Sequence, residues 1–219
     1  MLTLTHVADR LRADIVVKAR ELNVEPALLQ SIIKTEARSS GFQWGIFRGA
    51  RYKEPIILYE CHVAYRVIKA KSGRAEANRL ARLHPDIINP YPYYSKHNPY
   101  KYGRYSQQHK KLQKCVAVAG YDVAMQAASW GVGQVLGENW KMCGYQSVRG
   151  LINDAYGSEK TQLDLMCNYL KGKRGMIEAM QAFDYHKIAL LYNGKDYAVN
   201  NYHTKIEDAH VAYRKKYGN

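Results

Sequence analysis

Glu36 stands where a carboxyl could keep a proton near neutral pH. Leu29, Ile32, Ile33 and Glu36 fall at i, i+3, i+4 and i+7, one face of a helix. Three of these are apolar and the fourth is the carboxylate. A carboxyl held against apolar groups resists ionising, so its pKa rises. Such a group can protonate a leaving oxygen, as a glycosidase acid must. The alternative is that Glu36 bends out to solvent from the end of its helix. Glu60 closes the short apolar run Pro55-Ile-Ile-Leu-Tyr59 and is the best second carboxylate, able to hold or activate a water. Its alternatives are to cap the helix that starts near Cys61 or to pair with an arginine. Glu54 is the reserve, in a more basic stretch expected to be exposed.

Two further clusters suit a sugar site. In Ser129-Trp-Gly-Val-Gly-Gln134, read as a helix end, the glycines let backbone approach a bulky N-acetyl sugar. In Leu191-Tyr-Asn-Gly-Lys-Asp-Tyr197, Asn193 carries an amide that, like that of Gln134, both donates and accepts. Tyr192 can stack on a sugar or orient the acid. Ser129, Trp130, Gly131, Gln134, Tyr192, Asn193 and Tyr197 are the candidate binding residues. Other motifs carry less. Gly131, Gly133 and Gly137 do not have the dinucleotide spacing. Ala128-Ser-Trp-Gly is not a nucleophile elbow, so Ser129 reads as a hydrogen-bonding residue.

The elements that must position these groups are mostly helical. Residues 3–21 read as a first helix. Asn23 can cap a second, whose first turn tolerates Pro26 and which ends at Ser39-Ser-Gly41. Residues 42–52 fit a loop or short hairpin, and any strand is confined to 42–60. A helix from Cys61 breaks near Ser72-Gly73. In 84–106 four prolines forbid a long helix, and six tyrosines alternate with Lys96, Lys101 and Arg104. That stretch is either a surface loop packed by its own tyrosines or a wall of a binding cleft. Helices resume over 107–119, 121–128, 158–170, 176–183, 184–192 and 199–216. The expected fold is mainly α, a single domain over residues 1–219, with at most a small β-hairpin around 42–60.

Composition narrows the function. The chain has 219 residues, 47% of them hydrophobic, enough for a real core. No apolar run approaches the roughly 20 residues of a membrane span, and the N-terminus does not read as a secretory signal. Cys61, Cys115, Cys143 and Cys167 form no C-x-x-C pair and are read as reduced and structural. The scattered histidines argue against a metal site, and no cofactor is expected. The net charge of +14 seeks polyanions: nucleic acid, anionic lipid or an acidic cell wall. A basic nucleic-acid-binding protein is the alternative from another class.

The order Glu-x-x-Ser, Gly-x-x-Gln, Tyr-Asn-x-Gly resembles the lysozyme-like superfamily of goose-type lysozymes and soluble lytic transglycosylases. The closer resemblance is to the bacteriophage N-acetylmuramidase endolysins, over nearly the whole length. It is carried by Glu36 with Gly41-Phe42, Ile57-Leu-Tyr-Glu-Cys-His62, Ala128-Ser-Trp-Gly-Val-Gly-Gln134, Cys143-Gly-Tyr145, Ser158-Glu159 with Gln162-Leu163, and Tyr192-Asn-Gly194 with Tyr197, Asn200, Tyr202 and Lys205. Two places depart from the pattern. The usual Glu-Ser-Gly-Gly is Glu36-Ala-Arg-Ser-Ser-Gly41 here, and the usual Phe-Glu-Arg-His is Tyr59-Glu-Cys-His62. The resemblance implies a lysozyme-like fold and hydrolysis of the β-1,4 bond between N-acetylmuramic acid and N-acetylglucosamine in peptidoglycan, causing host lysis. Glu36 would be the acid and Glu60 would hold the water. A lytic transglycosylase giving anhydromuramyl products is the alternative within the superfamily. The expected protein is monomeric and needs no nucleic acid. It binds the anionic envelope through its basic surface, lacks a separate wall-binding domain, and waits in the host cytoplasm until another protein opens the inner membrane.

Overall fold

The computed structural model describes residues 5–37, 39–47 and 50–218. The first helix comes in two pieces, α1 (Val7–Arg10) and α2 (Arg12–Leu22), joined at Leu11; residues 3 and 4 lie outside the described ones. Asn23 does not cap the next helix. It ends α2 in the left-handed conformation, φ 54°, which asparagine tolerates better than most residues. Glu25 is the N-cap of α3 (Pro26–Glu36), and Pro26 takes the first helical position, where a missing N–H costs nothing.

α3 is the buried axis of the molecule. Leu28, Leu29, Ile32 and Ile33 are fully buried on it, and so are Gln30 and Ser31. The polar pair is satisfied internally: Gln30 Nε2 donates to Ala8 O at 3.0 Å and Ser31 Oγ to Leu28 O at 2.7 Å. The last helix, α11 (Tyr202–Tyr217), lies against α3. Glu25 ties the two together, accepting from Arg214 Nε and Nη2 at 2.8 and 2.7 Å, with His210 Nε2 at 3.2 Å.

β1 (Phe42–Phe47) and β2 (Ala50–Pro55) form an antiparallel hairpin. A second sheet has the order β3-β4-β5, from Ile57–Tyr59, Ala128–Trp130 and Val135–Leu136. Strand is therefore not confined to 42–60, and Ser129 sits in a strand rather than at a helix end. The run 128–136 is too short and too glycine-rich to hold a helix, and the edge of β3 offers it hydrogen-bonding partners.

The other elements are helical. α4 (Cys61–Leu83) bends at Gly73, φ 85°, and continues past it. α5 (Gln108–Ala119) and α6 (Tyr121–Gln126) lead into β4. α7 (Val148–Gly157), a helix not among those expected from the sequence, carries Val148, Leu151, Ile152 and Ala155 on its buried face. α8 (Glu159–Gly172) starts at the Ser158 cap; α9 (Met176–Gln181) and α10 (Tyr185–Asn193) follow. The four cysteines are buried and free. Among the described residues no helix is long and apolar enough to cross a membrane.

Candidate active site

A cleft of about 390 Å³ is lined by Glu36, Leu58, Glu60, Tyr105, Ser129, Gly133, Gln134, Val135, Leu136, Asn139, Tyr169, Tyr192, Asn193 and Tyr202. Its floor is the three-stranded sheet. Leu58 pairs with Ser129 and Ser129 with Leu136, so these three side chains share one face, because residues alternate sides along a strand. The same alternation sends Trp130 the other way. Trp130 is fully buried, and its indole N–H donates to Met125 O at 3.0 Å.

Glu36 enters the cleft from the last residue of α3. Burial pushes its pKa up to about 7, while the hydrogen bond from Asn193 and the charge of Lys205 pull less strongly the other way. Asn193 Nδ2 donates to Glu36 Oε1 at 3.0 Å. Asn193 is itself the last residue of α10, so two helix ends meet at this carboxyl. Tyr192 does not orient Glu36 by a direct hydrogen bond. Its hydroxyl donates to Gly133 O at 2.5 Å, and its ring meets Tyr169 edge-on at 5.3 Å. Burial keeps this phenol protonated, its pKa well above the ordinary value.

Glu60 sits between β3 and α4. It is the N-cap residue of α4, but its side chain makes no capping bond. The carboxylate accepts from Tyr102, whose hydroxyl lies 3.0 Å from both Oε1 and Oε2, and His62 Nδ1 lies 3.4 Å from Oε2. Thus neither a cap nor an arginine occupies it. Glu54, the reserve acid, is not in the cleft and is not exposed. It is buried beneath the β1–β2 hairpin, accepting from Gln43 Nε2 at 2.9 Å and Tyr52 OH at 2.7 Å.

Gln134 is a non-glycine residue at φ 44°, a conformation that persists where its surroundings fix it. Its Nε2 donates to Gly131 O at 2.8 Å and Ile56 O at 3.3 Å. With the amide nitrogen committed to backbone, it offers a ligand its oxygen. Gly131 shapes the turn rather than the cleft. It has φ 67°, and a Cβ there would stand 2.6 Å from Gln162. Gln162 holds three backbone groups at once, accepting from Val132 N and donating to Ala155 O and Gly41 O. Tyr197 is also outside the lining; its ring packs at the edges of His186 and His203.

The cleft therefore gathers Glu36, Glu60, Ser129, Gln134, Tyr192 and Asn193, but not Trp130, Gly131 or Tyr197. Of the other lining residues, Tyr105 and Tyr202 belong to the tyrosine-rich segment and to the stretch after Tyr197 that the sequence singles out, and Gly133 to its glycine run; Leu58, Val135, Leu136, Asn139 and Tyr169 carry no such expectation. Tyr169 had a signal, since it follows Gln162 and Met166 on the buried face of α8. Asn139 lies in a single 3-10 turn, Gly137–Trp140, with no pattern to mark it. The arrangement can donate a proton from Glu36, hold a water at Glu60, and hydrogen-bond the amides and hydroxyls of a sugar. Among the described residues no group of His, Cys, Asp or Glu could hold a metal ion.

The muramidase family, described as N-acetylmuramidase, matches residues 25–214. The crystal structure of the Burkholderia AP3 phage endolysin is similar to this fold with a TM-score of 0.77. The similarity covers 93% of this chain and 71% of that one at 28% identity. No curated protein matches the chain.

Proposed function

Since the chain belongs to the N-acetylmuramidase family, we propose that it is a phage-type endolysin in which Glu36 and Glu60 cleave the glycan strand of peptidoglycan. The observation that carries this reading is Glu36: a carboxyl at the base of a cleft, its pKa pushed up to about 7 by burial, held by Asn193. It is protonated in a useful fraction near neutral pH and can give that proton to the glycosidic oxygen as the bond to C1 of the muramic acid breaks. Water held by Glu60 attacks C1 and loses its proton to Glu60, so the anomeric configuration inverts. Ser129, Gln134, Asn139 and Asn193 hydrogen-bond the N-acetyl and hydroxyl groups. Tyr105, Tyr169 and Tyr202 wall the sugars in.

The second carboxylate favours hydrolysis over transglycosylation, which has no use for it because the muramic acid's own 6-hydroxyl attacks. Residues 1–219 act as one catalytic domain and as a monomer. The protein reaches the wall once another protein opens the inner membrane, and its basic surface adds affinity for the anionic envelope.

Mass spectrometry of sugars released from purified peptidoglycan tests this. The expected products carry reducing muramic acid ends. Anhydromuramyl products, lighter by one water, would assign the chain to transglycosylation and leave Glu60 a structural role.

A further inference from the structure

Residues 84–104 contain no helix or strand, yet they are fixed by their own side chains. Buried Asn98 donates from Nδ2 to Tyr91 O at 2.8 Å and accepts from Tyr100 N at 3.0 Å. Asn89 Oδ1 accepts from Tyr91 N at 2.9 Å. Buried Tyr93 donates from its hydroxyl to Asp86 O at 2.6 Å. Lys111 Nζ ties down Lys101 O and Tyr102 O, at 2.8 Å each. The backbone of this segment is thus ordered before any ligand arrives, so binding to it need not bear that entropy.

The tyrosines divide into two sets. Tyr93 and Tyr102 turn inward and hold the segment. Tyr91, Tyr94 and Tyr100 turn outward and are 47%, 67% and 37% exposed. Rings so exposed add little to a core. The charge is equally one-sided: residues 87–121 contain six Lys and Arg and no Asp or Glu. Lys96, Lys101 and Arg104 are exposed, and among the described residues none of them forms an ion pair. The segment runs directly into the cleft, since Tyr102 bonds Glu60 and Tyr105 lines the wall.

We propose that residues 91–105 extend the cleft as a contact surface for the strand beyond the scissile bond. Tyr91, Tyr94 and Tyr100 pack on the apolar faces of sugar rings, and Lys96, Lys101 and Arg104 pair with carboxylates of the stem peptides. This rests on the muramidase reading above. A tyrosine presents a flat apolar face while its hydroxyl stays wet, which fits the C–H face of a pyranose. Stem peptides make the strand a polyanion, which fits a segment whose exposed charges are Lys96, Lys101 and Arg104. A lipid-facing surface would carry inserted leucines and phenylalanines beside its cations; here the exposed rings are tyrosines, and they adjoin the cleft.

The test is titration calorimetry with the full-length Glu36→Gln protein, so that no strand is cut. The ligands are soluble peptide-bearing strands, the same strands with their peptides removed, anionic phospholipid vesicles, and single-stranded DNA. One variant adds Tyr91→Ala with Tyr100→Ala, and the other adds Lys96→Gln, Lys101→Gln and Arg104→Gln. Unchanged melting temperatures establish that both fold. The tyrosine variant is expected to weaken both strand types about tenfold. The cation variant is expected to weaken only the peptide-bearing strands, by about tenfold. Strand affinities that stay put, whether or not vesicle or DNA binding falls, would overturn the proposal. Absence of wall cleavage by the unaltered protein would overturn the muramidase reading instead, because the binding arms do not use turnover.

Discussion

Asn193 Nδ2 donates to Glu36 Oε1 at 3.0 Å, so the carboxyl at the end of α3 is held by a residue 157 positions further along the chain. A hydrogen bond to a carboxylate favours its charged form. Asn193→Ala should therefore raise the Glu36 pKa above about 7 and shift the alkaline limb of the kcat–pH profile upward. It should also lower kcat about tenfold through lost orientation. A pH series on the variant checks both, and an unmoved alkaline limb would separate Asn193 from the acid.

Glu36→Gln should retain the fold and lose about 10²–10⁴-fold in wall cleavage. Its stability should also change with pH in a defined direction. The folded pKa of about 7 lies above the ordinary 4.5, so the folded protein keeps a proton that the unfolded chain has already released. The unaltered protein therefore loses stability as pH rises from about 4.5 to about 7. Glutamine removes that loss. Above pH ~7 the variant should be the more stable, by up to about 3 kcal/mol, which denaturant melts at acid and alkaline pH would measure.

Tyr102→Phe should weaken the hold on Glu60, whose two oxygens both lie 3.0 Å from the Tyr102 hydroxyl. Hydrogen bonds to charged groups contribute about 1.5–3 kcal/mol, so kcat should fall at least about tenfold. In a Glu60→Gln background the same change should add little, because the two act through one interaction.

Gly131→Ala should destabilise the fold by about 2 kcal/mol. The position has φ 67°, and the new Cβ would press on Gln162, which holds Val132, Ala155 and Gly41. A lowered melting temperature, with residual activity in proportion to folded protein, is the expected outcome.

Binding to whole walls should weaken steeply with ionic strength, because a net charge of +14 attracts an anionic envelope through a screened field. Cleavage of a short soluble oligosaccharide should respond much less. Salt-insensitive wall binding would assign targeting to the cleft alone.

What the sequence showed, it showed through periodicity and chemistry together. Leu29, Ile32, Ile33 and Glu36 read as one helix face, and α3 buries the first three while Glu36 reaches the cleft from its end. Residues 128–136 carry no such periodicity. Ala128–Trp130 is three residues long and exists as a strand because β3 pairs with it; so short a run has no period of its own. A helix end at Ser129 would leave Trp130 available to a ligand; the strand alternation instead turns it into the core. The sequence around Glu54 misleads for a related reason. Its neighbours Arg51 and Lys53 are polar, but the pleat turns Glu54 inward onto Gln43 and Tyr52.

The packing of α11 on α3 has a consequence for when the protein becomes competent. α3 is made early, but Asn193, which holds its carboxyl, and Tyr202, which walls the cleft, belong to the closing stretch of the chain. The Glu25–Arg214 pair that joins the two helices spans 189 positions. Contacts so distant in sequence form late, after the loop between them has been closed. A nascent or C-terminally shortened chain would carry Glu36 without its amide partner and without one wall of the cleft. The cleft is therefore complete only once α10 and α11 have packed against the end of α3.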